Sequence, residues 1–221
     1  MKGLLMKDFR LLKTQKNFFI LIVAIAIVMA ISTKDCSFII GYLTGYLTFI
    51  GSLFTLSTIS YDEFDNGNVF LFSLPVSRKS YVTEKYGFGL IMGISSCILA
   101  TILALITGLI RNTDMTIDIL ISALIILPFM LILLALMIPF HLKFGGEKGR
   151  IVIIGAVGLL FVLGILVVKM VKVFHIDLTP VFNAFPVISV GGLIGIEMAI
   201  AIVLLLISYK ASIIIMKKKE F

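Results

Sequence analysis

The chain has 221 residues, 60% of them hydrophobic and 14% charged. Soluble domains run at about 45–50% apolar and about 25% charged, so this composition belongs in lipid and excludes an ordinary water-soluble globule. Nineteen basic against 12 acidic residues leave a net charge of +7. No water-facing basic domain is long enough to bind nucleic acid, so the excess is expected on membrane loops.

Residues 1–16 read as an amphipathic interfacial helix. At about 100° per residue, Met1, Leu5, Phe9 and Leu12 share one face, with Lys2, Arg10 and Lys13 opposite. Such a helix lies in the headgroup plane with its basic face toward anionic lipid. The apolar run at 18–31 rises only about 21 Å against a hydrocarbon core of about 30 Å. Asn17, Ser32 and Thr33 extend it and Lys16 can snorkel, giving a first span at about 17–33.

Further spans are expected at about 38–59, 86–110, 117–140, 151–171 and 187–209, followed by a basic tail at 210–221. Pro128 and Pro139 are expected to kink the fourth. Runs of this length must be helical, because only a helix closes its backbone hydrogen bonds within one segment in lipid. The short alternating segments of a membrane barrel are not present. The fold class is therefore all-α integral membrane, six transmembrane helices preceded by the interfacial helix.

Six spans put segments 1–16, 60–85, 141–150 and 210–221 on one side, with 15 of the 19 basic residues, Lys85 among them. Lys34, Arg111, Lys169 and Lys172 fall on the other. The positive-inside rule then makes both termini cytoplasmic. Cys36 and Cys97 show no metal spacing and read as small apolar residues. His175 and Asp177, in the outer loop 172–186, have no third ligand nearby, so no metal site is expected.

Segment 60–85 is the longest polar interruption. Asp62, Glu63 and Asp65 follow the second span directly, and acids disfavour a helix C-terminus, so a break is expected there. Asn66-Gly67-Asn68 signals a turn. Residues 69–74 then form one or two turns with Phe70 and Phe72 exposed, and Pro75 ends the piece. Ser77 caps a helix beginning at Arg78. A short aromatic-tipped helix between two bends suits a socket on another protein. Asp65, Val69, Phe70, Phe72, Leu74, Arg78 and Lys79 would form that docking surface; the alternative folds Phe70 and Phe72 back into the headgroups.

In the second span, Gly41, Gly45, Thr48, Ser52 and Thr55 recur on one face, with Thr44 beside them. Small and hydroxyl residues at this spacing allow close helix approach. The face would meet another subunit, line a conduit, or pack within the chain. Glu197 is the one carboxylate deep in a span, which makes it a candidate for proton relay, substrate contact or helix pairing, unless the outer rim wets it. Gly145-Gly146-Glu147-Lys148-Gly149-Arg150 has the wrong spacing for a phosphate-binding loop, and no catalytic constellation converges. The chain is therefore expected to be no enzyme.

At Leu74-Pro75-Val76-Ser77-Arg78-Lys79, followed by Val82, Lys85 and Tyr86, the sequence resembles the small permease subunits of type-2 ABC exporters. The opening Met1-Lys2-Gly3-Leu4-Leu5, with Lys7 and Asp8, is similar to that family's elbow helix. Among these permeases it looks most like those that export amphipathic peptides of the phenol-soluble modulin type. The resemblance implies a bacterial plasma-membrane protein that pairs with a second copy or a related permease. It implies recruitment of a separate ATPase, with ATP and Mg bound there and no cofactor bound here. The coupling helix would fall at about 65–74, and the face from Thr44 to Thr55 would look into a conduit for a peptide substrate. Two other classes stay open: a proton-coupled carrier using Glu197, and a non-transporting membrane protein that confers immunity to a toxic peptide.

Overall fold

The computed structural model describes residues 2–64, 67–113, 115–145 and 189–219. Among these, every regular element is helical: α1 (Lys2–Thr14), α2 (Lys16–Ser32), α3 (Cys36–Glu63), α4 (Gly67–Ser73), α5 (Arg78–Ile110), α6 (Thr116–Phe144) and α7 (Val190–Lys218). The predicted fifth span at 151–171 and the loop at 172–186 lie outside the described residues. Helices α3, α5, α6 and α7 are each long and apolar enough to cross a membrane. The α1–α2 pair, bent by 62° at Gln15, would make a fifth crossing if it counts as one span. Six spans are thus an expectation of which the described residues supply four or five.

Helix α3 is the centre of the bundle. Of its most apolar window 61% is buried, the largest share among the described spans, against 6% for α7. Close approach of α3 to α5 depends on glycine: a Cβ at Gly51 would overlap Ser96 Oγ and sit 2.5 Å from Ser96 Cβ. One core cluster joins Ile22 and Ala26 of α2 to Ile40 and Leu43 of α3 and Ala104 of α5. A second joins Ile59 of α3 to Tyr81 of α5, Leu134 and Ile138 of α6, and Met216 of α7. Helix α6 runs unbroken through Pro128 and Pro139.

The two ends of the bundle are fastened differently. At one end Arg111, just past α5, donates to the carbonyls of Thr33 (2.7 Å) and Lys34 (3.3 Å) and to that of Ala30. A guanidinium there satisfies the orphan carbonyls that close α2. At the other end Arg78 opens α5 and donates to the carbonyls of Met216 (2.9 Å) and Lys217 (2.7 Å), which close α7. Lys219 reaches Glu63 Oε1 at 2.8 Å and the carbonyl of Leu142 at 3.1 Å. The second end thus gathers the last turns of α3, α6 and α7 with the first turn of α5.

Several sequence expectations change here. Asp62 and Glu63 belong to α3 and do not follow it. Lys7, Lys85 and Lys219 pair with these acids, which offsets their unfavourable place at a helix C-terminus. In α1 the side turned to the protein carries Leu4 and Asp8, while Met6 is exposed and Phe9 is only partly covered, edge-on to Phe88 at 5.4 Å. Asp8 points inward to the Lys85 ammonium, beside Leu5 and Leu12 of the predicted apolar face, which pack against Phe54, Phe88 and Met92.

Candidate functional site

Helix α4 starts at Gly67, within the turn signal read from sequence, whose Asn66 lies outside the described residues. A Cβ there would lie 2.8 Å from the Asp62 carbonyl oxygen, so any side chain at 67 would push α4 off the end of α3. Ser77 caps α5 as expected, its hydroxyl accepting from the Ser80 amide at 3.1 Å. Between these signals α4 is a platform with two faces.

The outer face carries Val69 at 50% exposure and Phe70 at 69%, with Leu74 beyond the helix. Tyr61 and Phe64 at the end of α3 are also exposed, a contribution the sequence reading missed. Phe72 faces the other way. It is half-buried, its ring edge-on to Tyr81 with centroids 5.6 Å apart. The expected exposure of Phe72 is therefore corrected: seven residues make only two helical turns, so side chains two apart point to different sides. Arg78 is engaged with the end of α7, Lys79 is exposed, and Asp65 lies outside the described residues.

Behind the platform lies a cluster of charges that sequence reading did not find. The Lys85 ammonium is fully enclosed. It donates to Asp8 of α1 and to Thr58 of α3 (3.0 Å), and it lies 2.9 Å from Asp62 Oδ2. Lys7 of α1 also donates to Asp62, and the Tyr81 hydroxyl donates to Asp62 Oδ2 at 3.2 Å. Glu84 Oε2 is 3.6 Å from the same ammonium. Lys85 is thus no loop cation facing water. Removing it from water requires good partners in place, and α1, α3 and α5 each supply some. The one signal available in sequence was an acid, Asp8, in a helix otherwise basic and apolar. The cluster and the platform touch, because Phe72 rests on Tyr81 and Tyr81 bonds Asp62.

The small-residue face of α3 divides in two. Gly41, Gly45, Thr48 and Ser52 line a groove of about 380 Å³ between α3 and α6. Tyr42 and Tyr46, stacked at 5.1 Å, form its rim, and Phe129 and Met130 form its far wall. Thr44 and Thr55 are not part of the groove lining. Thr44 bonds the carbonyl of Ile40 at 2.7 Å, and the Thr55 hydroxyl would come within 3.2 Å of a Cβ at Gly89 on α5. Four of the six predicted residues thus line the groove, Thr55 meets α5, and Thr44 bonds within its own helix. Glu197 lies about two turns into α7, half-buried, and forms no ion pair among the described residues.

A family model described as ABC-2 family transporter protein matches residues 3–217. No curated protein and no solved structure matches the chain.

Proposed function

The chain belongs to the ABC-2 family of transporter proteins, and from that premise we propose that it is the membrane-spanning permease subunit of an ATP-driven exporter. The observation that carries the reading is the family match over almost the whole chain, together with an apolar platform fixed at one end of the bundle. Val69, Phe70 and Leu74 project from it, and Tyr61 and Phe64 extend it. An exposed aromatic cluster on a short, braced helix is expensive in water and suits insertion into a partner's pocket.

In this reading the platform end is cytoplasmic and six spans cross the plasma membrane, with α1 as an interfacial elbow. A separate ATPase binds ATP and Mg, and its movement reaches the bundle through α4. The chain contributes no catalysis. The groove between α3 and α6, rimmed by tyrosines and floored by glycine and hydroxyl groups, forms part of a path for amphipathic peptides. Completion of that path would need a second copy or a related permease. The same groove would suit other hydrophobic compounds, since apolar walls with few polar groups define this kind of site.

Affinity purification of the tagged chain in mild detergent, after co-expression with candidate ATPase subunits, tests the reading. Co-purification of one ATPase, with hydrolysis absent from the chain alone, is the expected result. Peptide export by the reconstituted chain without nucleotide or companion protein would overturn it.

A further inference from the structure

Helices α1 and α4 are separated in sequence by all of α2 and α3, yet both are tied to one bonded pair, Tyr81 and Asp62. On the platform side, Leu71 and Phe72 of α4 pack on the core cluster that holds Tyr81 and Val82, with the Phe72 ring edge-on to Tyr81 at 5.6 Å. Tyr81 has no room to yield on its own. It is 1% exposed, the Lys85 ammonium lies over its ring at 5.3 Å, and its hydroxyl donates to Asp62 Oδ2 at 3.2 Å. On the other side, Asp62 Oδ1 accepts from Lys7 of α1. Asp62 Oδ2 meets Lys85, which pairs in turn with Asp8 of α1. Asp62 also stands where α4 leaves α3, since its carbonyl oxygen is the atom a Cβ at Gly67 would meet. Of the four side chains that carry these charges, Asp8, Asp62 and Lys85 are enclosed. Parting them would leave a buried charge uncompensated, so the junction does not open freely.

We propose that Tyr81 and Asp62 are positioning residues that join α4 to α1, so that a displacement of the platform carries α1 with it. Phe72 presses on the Tyr81 ring, the Tyr81 hydroxyl holds the Asp62 carboxylate, and that carboxylate holds Lys7. A close-packed, enclosed chain of contacts passes a shift along because no member can move without its neighbours. Phe70, which points away from this chain of contacts, has no part in it. The inference concerns the linkage alone and does not depend on what docks on α4.

The test measures distances between paired spin labels on the full chain in lipid nanodiscs, with Cys36→Ala and Cys97→Ala. One pair sits at exposed positions of the two helices, Met6→Cys on α1 and Val69→Cys on α4. A control pair, Ile31→Cys and Ile117→Cys, also exposed, reports on the opposite end of the bundle. The α1–α4 pair is expected to give one narrow distance. Phe72→Ala should raise the share of molecules outside that distance about threefold or more, the size of effect that loss of a linking residue produces, with the control pair unchanged. Tyr81→Phe keeps the ring against Phe72 and removes only the bond to Asp62. It should widen the α1–α4 distance in the same way, and it decides even if Phe72→Ala does not fold. Phe70→Ala should leave both pairs unchanged. The proposal is overturned by a broad α1–α4 distribution before any of these substitutions, or by one that Phe72→Ala or Tyr81→Phe leaves narrow. Equal widening of the control pair, or widening by Phe70→Ala, overturns it as well.

Discussion

The Lys85 ammonium lies 2.9 Å from the Asp62 carboxylate, fully enclosed, and joins the second turn of α5 to the last turn of α3. With Asp8 it closes a three-helix junction between residues far apart in the chain. A buried pair of this kind is not a strong source of stability as a whole, but removing one partner strands the others without compensation.

Lys85→Met should therefore destabilise the chain by about 3–5 kcal/mol, because Asp8 and Asp62 are left buried beside an apolar side chain. Chemical unfolding in detergent, followed by circular dichroism, measures this. Adding Asp8→Asn to Lys85→Met should recover part of the loss by removing one stranded charge. Recovery distinguishes an ion-pair junction from a purely steric role of the lysine stem.

Gly51→Ala should cost about 1–3 kcal/mol, since the added methyl group overlaps Ser96 and forces α3 away from α5. Ser96→Gly in the same chain removes the obstructing atoms and should restore most of the lost stability. Thermal unfolding of the two single variants and the double variant completes the cycle. Additive losses would show that the two residues do not meet.

Phe70 and Phe72 should separate two effects. Phe70→Ala is expected to leave the melting temperature unchanged and to weaken ATPase co-purification about tenfold or more, as loss of an exposed aromatic anchor does. Phe72→Ala is expected to cost about 1–3 kcal/mol of stability through its lost contact with Tyr81. Parallel melting and pull-down measurements distinguish them. Equal behaviour of the two variants would argue against a two-faced platform.

Much of the local architecture was legible in residue order. Gly67 and Ser77 mark the two ends of the platform by local chemistry alone: a turn that excludes a side chain, and a hydroxyl that satisfies an orphan amide. The apolar runs behind α3, α5, α6 and α7 are read as directly, because burial in lipid depends on the mean character of about 20 neighbouring residues. The small-residue face of α3 was visible as a stripe, but its division was not. Gly45 and Thr48 reach a groove beside α6, while Thr55 meets α5, and only the position of those helices separates them.

Alone, the order of residues determined that this is a helical membrane protein with one polar, aromatic-tipped interruption, because hydropathy and turn chemistry are sums over near neighbours. Tertiary structure decided that Lys85 is a buried hub and not a loop cation, that Asp8 turns inward, and that Phe72 braces what Phe70 presents. Those outcomes depend on which distant groups share an enclosure. The partner of Lys85 on α1 is 77 residues away, and no local pattern carries the strength of a charge pair formed only when the helices pack.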